Sequence, residues 1–337
     1  MYRRLFLALI LWTVSHATWG AEWELYPLND FCADASGLTL TPWGDVLISV
    51  PNFGDTNRIA MFIRLHEKQL YLWGISPVSP ASGRGVPAGI VFGEDENLYI
   101  CDNQNRVADG QEGRILRVLV NSSHRPYAAQ LVASGLQHPH RIAIFGEHLY
   151  VTQYFYAAQE SSDVWQSSLY RFPIHVENIP VTPLPDDPSL LHTFPFTNPE
   201  KKQLPLSLCF DPSGKLYVGN PAEGAIYHVT FDEKGKVREV TEYLRASELT
   251  SIDGMAADGA GNLYIGNASL HTIFRITPAK TIEPFLRGEE VGFRQPQDIC
   301  WGEGVLYFTC RTLESTPAVG LWRFSEAVPS SENAAQP

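Results

Sequence analysis

Apolar residues in this chain do not recur at helical spacing; they fall into short runs separated by polar turns that contain glycine. One order returns six times: a small residue, an apolar strand, a Gly-bearing turn, and a second strand that opens with Leu-Tyr or Val-Leu. The copies begin near Gly37 (SGLTLTPWGDVLIS), Gly89 (AGIVFGEDENLYIC), Arg141 (HRIAIFGEHLYVT), Ser207 (LSLCFDPSGKLYVG), Gly254 (DGMAADGAGNLYIG) and Asp298 (QDICWGEGVLYFT). Their spacings are 52, 52, 66, 47 and 44 residues. A period of about 40–50 residues built from strands matches the blades of a propeller, not a helical repeat.

A third apolar segment follows every hairpin, at 58–65, 114–120, 168–174, 225–231, 272–277 and 320–324. Five copies then supply a fourth, at 70–74, 129–133, 191–196, 237–244 and 281–286. The sixth has none, whereas a spare strand, EWELYPL (22–28), precedes the first copy. Pairing that strand into the last blade removes the open edges of the array. The pattern therefore predicts one all-β domain over 22–325, a six-bladed β-propeller of four-stranded antiparallel blades whose ring is closed by the N-terminal strand. Residues 326–337 are polar and read as a disordered tail. The third copy departs most from the rest. Residues 153–168 read as an interruption between second and third strands, and the proline-rich 176–204 as a lid over the channel or a decoration of the rim.

Residues 1–20 carry Arg3 and Arg4, then LFLALILWTV, then small residues suited to cleavage after Ala17 or Gly20, the order of a secretory signal peptide. The apolar run is about half of what spans a bilayer. The expectation is a secreted or periplasmic protein with no stable membrane anchor after cleavage. Loss of the two arginines takes the net charge from −12 to −14, which argues against nucleic acid and anionic membrane as partners. A small polar or anionic metabolite is the expected partner, with a protein partner as the alternative. Of the five cysteines, Cys209 and Cys300 read as buried apolar residues, while ring closure could bring Cys32 and Cys310 close enough for a disulfide. The acid-rich CDNQNRVADGQEG (101–113) lacks the ligand spacing of an EF-hand and reads as an extended polar loop.

In a propeller the first strand of each blade lines the central channel, so the residues that open those strands converge on one mouth. Around the ring these are Ser36, Ala88, His140, Leu206, Asp253 and Gln297, followed by Gly37, Gly89, Arg141, Ser207, Gly254 and Asp298. His138, Tyr154 and His271 are candidates for the same mouth. Each has a plain alternative: His140 as a turn histidine, Asp253 as a turn cap, and Asp298 as the ion-pair partner of Arg141 or Arg311.

The repeat resembles the senescence-marker-protein/gluconolactonase (regucalcin-like) family, and more loosely the NHL-repeat propellers. The closest stretch is IDGMAADGAGNLYIGNASLHTIFRI (252–276), and the framework extends over residues 35–325. The resemblance implies hydrolysis of sugar-acid lactones with one divalent cation in the channel, held by a Glu of the first blade, an Asn of the fourth and an Asp of the fifth. By position the Asp is Asp253, but the Glu position holds Ser36 and the Asn position Leu206. Three readings stand. In the first, an exported lactonase-like hydrolase keeps a modified divalent site (Ca²⁺, Zn²⁺ or Mg²⁺) at Asp253 and His140, which are then also its catalytic residues, with Arg141, Gln297, Asp298, Tyr154 and Ser36 around the substrate. In the second, a non-catalytic propeller uses His140, Arg141 and Asp253 to bind a ligand or protein without metal. The third is another propeller enzyme, such as a lyase or a quinone-dependent sugar dehydrogenase. A shift in alignment would offer Asp34 in place of the missing Glu.

Overall fold

A computed structural model of the chain describes residues 15–18, 21–28, 32, 35–53, 59–104, 112–159, 162–182, 186–195, 206–312 and 319–326. Most of residues 1–20, on which the expected signal peptide falls, residues 327–337 and Asp34 lie outside the described residues.

Six antiparallel sheets are arranged as propeller blades. The first consists of Leu38–Leu40, Val46–Val50, Met61–His66 and Gln69–Ile75, in that order from axis to rim. The second is Pro87–Phe92, Leu98–Asp102, Gly113–Val120 and Pro126–Leu136; the third is His138–Phe145, His148–Gln159, Ser162–Pro173 and Leu190–Pro195. Ser207–Phe210, Leu216–Asn220, Ala225–Phe231 and Val237–Arg245 make the fourth, and Ile252–Ala257, Leu263–Asn267, Thr272–Ile276 and Ile282–Arg287 the fifth. The sixth takes Ile299–Gly302, Val305–Thr312 and Val319–Glu326, and its fourth strand is Ala21–Leu28, paired antiparallel from Ala21↔Glu326 to Leu28↔Val319; Ser15–Thr18 pairs on the outer side of Ala21–Leu28, and Phe293–Arg294 pairs with Val305–Thr312. Ring closure by the N-terminal strand is thus observed.

The turns between first and second strands explain why the repeat keeps Asp and Gly there. In the fourth blade Asp211 Oδ1 accepts the N–H groups of Ser213 and Lys215 at 2.9 and 3.0 Å, and in the fifth Asp258 Oδ1 accepts those of Ala260 and Asn262 at 2.9 and 2.8 Å. Gly214 and Gly261 then take φ of +82° and +83°, which favours glycine.

The hydrophobic core is divided into six buried clusters, one in each gap between neighbouring blades. The gap between sixth and first blades, for instance, holds Tyr26, Leu28 and Leu321 against Ile48 and Leu65. Side chains from both faces of every sheet are therefore buried, and the second strands read as mostly apolar runs: all five residues of Val46–Val50 are buried, Ser49 included, as are those of Leu263–Asn267.

Two details differ from the sequence reading. Residues 153–168 do not interrupt the third blade; its second and third strands continue as a hairpin of two twelve-residue strands with unbroken pairing from His148↔Pro173 to Gln159↔Ser162. The run holds the aromatic residues Tyr154, Phe155, Tyr156 and Trp165, which favour strand, and its polar residues mask that preference. In the proline-rich insertion, Ile179–Pro180 lies parallel to Ala133–Ser134 as an added rim strand of the second blade, so the described part decorates the rim. No disulfide joins Cys32 to Cys310, since Cys32 is buried between the sixth and first blades and Cys310 between the fifth and sixth.

Because Tyr26 is fully buried in the closing strand, Tyr26→Ala is expected to cost about 3–5 kcal/mol of unfolding free energy in urea titrations. Tyr127→Ala, on an exposed rim position, is expected to stay within about 0.5 kcal/mol.

Candidate functional site

The first strands crowd at the axis. A Cβ on Gly37 would lie 2.2 Å from the Ala88 carbonyl oxygen, one on Gly89 2.5 Å from that of His140, and one on Gly254 2.6 Å from that of Gln297. The small residue that opens each repeat is therefore a packing requirement. Where the repeat replaces it, as at Arg141, Ser207 and Asp298, a side chain enters the channel wall. A register shift between Pro139 and Arg141 marks a bulge that re-aims the start of the third blade's first strand.

Arg141 is the centre of the site. Its side chain is 7% exposed; Nη1 lies 3.0 Å from Asp298 Oδ2, and Nη2 donates to Asp253 Oδ1 and, at 3.5 Å, to the Gln297 carbonyl oxygen. Asp298 is fixed in turn. Its Oδ2 accepts the Leu38 N–H at 2.8 Å and its Oδ1 the Ile299 N–H at 3.1 Å, while its own N–H donates to Thr309 Oγ1 at 3.2 Å. One guanidinium thus links the third blade to the fifth and sixth, and through Asp298 to the first. Arg141 Nε and Ser207 Oγ, both in buried positions, have no hydrogen-bond partner among the described residues. Beyond this polar end a cavity of about 250 Å³ runs along the first strands toward Ile144, Phe210 and Trp301.

Burial pushes the Asp298 carboxyl up to about 6; the charge of Asp253 acts in the same direction, and Arg141 opposes both. Burial also works against the charge on Arg141, but Asp298 and Asp253 more than offset it and hold the guanidinium above its usual value. Arg141 is therefore a permanent cation, and Asp298 a carboxyl that titrates within the physiological range.

The remaining sequence candidates are distributed unevenly. His138 stacks on Tyr154 with ring centroids 4.6 Å apart and places Nδ1 3.2 Å from Asn103 Oδ1; the buried His140 meets the edge of Tyr154 at 6.4 Å. These form one aromatic group at the head of the third blade. Gln297 bonds Thr309 through its backbone, and its buried Oε1 has no donor among the described residues. Ser36 is half-buried, its N–H bonded to the Ser49 carbonyl at 2.9 Å, and it does not line the cavity. His271 stays in a turn of the fifth blade, with Nδ1 2.9 Å from the Ala268 carbonyl oxygen. Asp102, in the acid-rich loop, is already engaged by the Val86 N–H, Gln104 Nε2 and Arg114. Sequence reasoning gave Ser207 no role; its place in the same column as Arg141 and Asp298 was the signal.

The residues do not fit a divalent cation as they stand. Leu206 is fully buried in the core between third and fourth blades, Ser36 carries no carboxylate, and Asp253 Oδ1 is held by Arg141. No group of three or more His, Cys, Asp or Glu with metal-holding geometry occurs among the described residues.

Folding raises the Asp298 pKa from about 4 to about 6, so between these values the folded chain holds the extra proton. The stability this contributes is complete below about pH 4 and is lost as pH rises through about 6. Relative to Asp298→Asn, the unaltered protein should therefore gain up to roughly 3 kcal/mol between pH 7 and 4, read as the difference between two denaturation series.

No family model matches the sequence, and no curated protein matches it either. Solved structures do. A quinone (PQQ)-bound aldose sugar dehydrogenase from Streptomyces coelicolor is 18% identical, with a TM-score of 0.58 over 90% of this chain and 98% of that one. A gluconolactonase from Xanthomonas campestris is 13% identical, with a TM-score of 0.55 over 90% and 89%. A virginiamycin B lyase from Staphylococcus aureus is 12% identical, with a TM-score of 0.55 over 90% and 99%. The chain shares the six-bladed fold of the gluconolactonases and of other propeller enzymes, and at these identities the likeness is one of fold.

Proposed function

We propose that this propeller is an exported hydrolase that opens a small, neutral lactone at the Arg141 end of its channel, without a metal ion. The observation that carries the reading is a buried guanidinium with an unengaged Nε–H, beside a carboxyl held near 6. Two carboxylates already face the one guanidinium, so the site has no surplus positive charge for an anionic ligand. A neutral carbonyl compound suits it better.

In this reading an Arg141 N–H takes the lactone carbonyl oxygen and stabilises the negative charge that develops there. Water attacks the carbonyl carbon and gives its proton to Asp298. The ring C–O bond then breaks, and the departing oxygen takes that proton back, so that lactone and water become one hydroxy acid. Asp253 orients the guanidinium, Ser207 offers a hydroxyl in the same wall, and His140 and Tyr154 shape the mouth. The fold shared with gluconolactonases supports this choice by analogy alone. A non-catalytic, ligand-binding propeller is the second reading, favoured by the two backbone N–H groups that hold Asp298 and compete with its use as a base.

The test is a pH-stat assay of neutral lactones in the presence of chelator. Turnover should rise with pH through a limb near 6, as Asp298 loses its proton. Asp298→Asn should lower kcat by about 10²–10⁴, and Arg141→Lys by about 10²–10³. Saturable binding of lactones with no turnover by the unaltered protein would move the assignment to the binding propeller.

A further inference from the structure

One guanidinium stands between two carboxylates at the polar end of the channel. Two of the positions that the resemblance assigns to metal ligands hold Ser36 and Leu206, and the third, Asp253, is engaged by Arg141. The guanidinium contacts a second carboxylate as well, Asp298 at 3.0 Å, and so joins acidic groups from different blades as a bound cation would. Its neighbours make room for it. A Cβ on Gly89 would come within 3.0 Å of the Arg141 Cα, and a Cβ on Gly254 within 2.7 Å of the Asp298 Cα. With the arginine nearly sealed from solvent and positively charged at every accessible pH, a divalent ion at the same carboxylates meets repulsion and has no free ligand face.

We propose that Arg141 is a built-in replacement for a divalent cation: it holds Asp253 and Asp298 together across the channel, makes the protein indifferent to calcium-like ions, and covers a latent cation site that its removal exposes. This inference is independent of the lactone reading, because it is read by binding and stability, not turnover. It differs from a plain ion pair in one respect: the charge removed with the arginine should be replaceable by a metal.

Calorimetric titration with Ca²⁺ and Mn²⁺, together with melting curves in chelator and in millimolar ion, tests it on the unaltered protein, Arg141→Ala, Arg141→Lys and Arg141→Ala/Asp253→Asn. The unaltered protein and Arg141→Lys should show no saturable binding and the same Tm in chelator and in ion. Arg141→Ala should melt lower in chelator, bind one ion with Kd of about 10⁻⁴–10⁻³ M, and recover part of its Tm. The added Asp253→Asn should weaken that affinity at least tenfold. Where Arg141→Ala does not fold alone, a higher refolding yield with ion than with chelator supports the proposal, and equal yields overturn it. It is also overturned if the unaltered protein binds a stoichiometric ion or loses Tm in chelator, or if folded Arg141→Ala responds to neither ion.

Discussion

Six strands cannot approach one axis unless something small stands where they begin, and this steric limit governs the rest of the molecule. Gly37, Gly89 and Gly254 meet it by having no Cβ to collide with the next blade's carbonyl. Exceptions to the rule are correspondingly informative. Arg141 and Asp298 place large or charged side chains at crowded positions, and each stands beside one of the glycines that make the space. A buried ion pair of this kind gives little net stability over well-packed apolar residues, because both charges must be desolvated. Its retention at the axis points to a task of position, keeping carboxylates from separate blades in a fixed relation.

Fold and site differ in how far they could be read from the residues. The blade framework was legible because the copies repeat similar local physics: a short turn with a residue at positive φ, most often glycine as at Gly44, Gly146, Gly214, Gly261 and Gly304, and a second strand that is mostly apolar. Ring closure followed from the lone surplus strand at 22–28. The rim was harder. The hairpin of His148–Gln159 with Ser162–Pro173 carries serines, glutamines and Asp163, which resemble loop composition, and cross-strand pairing supplies what composition conceals.

At the channel, the structure brings Arg141, Asp253 and Asp298 together, whereas Ser36 and Leu206 do not line the cavity. The pairing of Asp298 was open between Arg141 and Arg311, and the structure selects Arg141. That Asp253 would share the same guanidinium depends on the angle between blades three and five, residues 112 apart in sequence, which no local pattern encodes. Ser36 and Leu206 illustrate the converse. Their mismatch to the ligand set that the resemblance implies was visible in the sequence, while the joint contact of Arg141 with Asp253 and Asp298 came into view only with the three-dimensional arrangement.

The closing strand has an implication for how the molecule comes into being. Ala21–Leu28 is synthesised before any blade, yet its partner, Val319–Glu326, is synthesised after all of them. The contact with the greatest separation along the chain is therefore the one that seals the ring, and loop-closure entropy opposes it until the intervening blades have formed. A nascent chain can build blades one by one, but the gap between sixth and first, with Tyr26 at its centre, stays unfilled until the last strand emerges. The ring is thus sealed only once residues 319–326 are in place, and a chain cut short before residue 319 is left with an open ring.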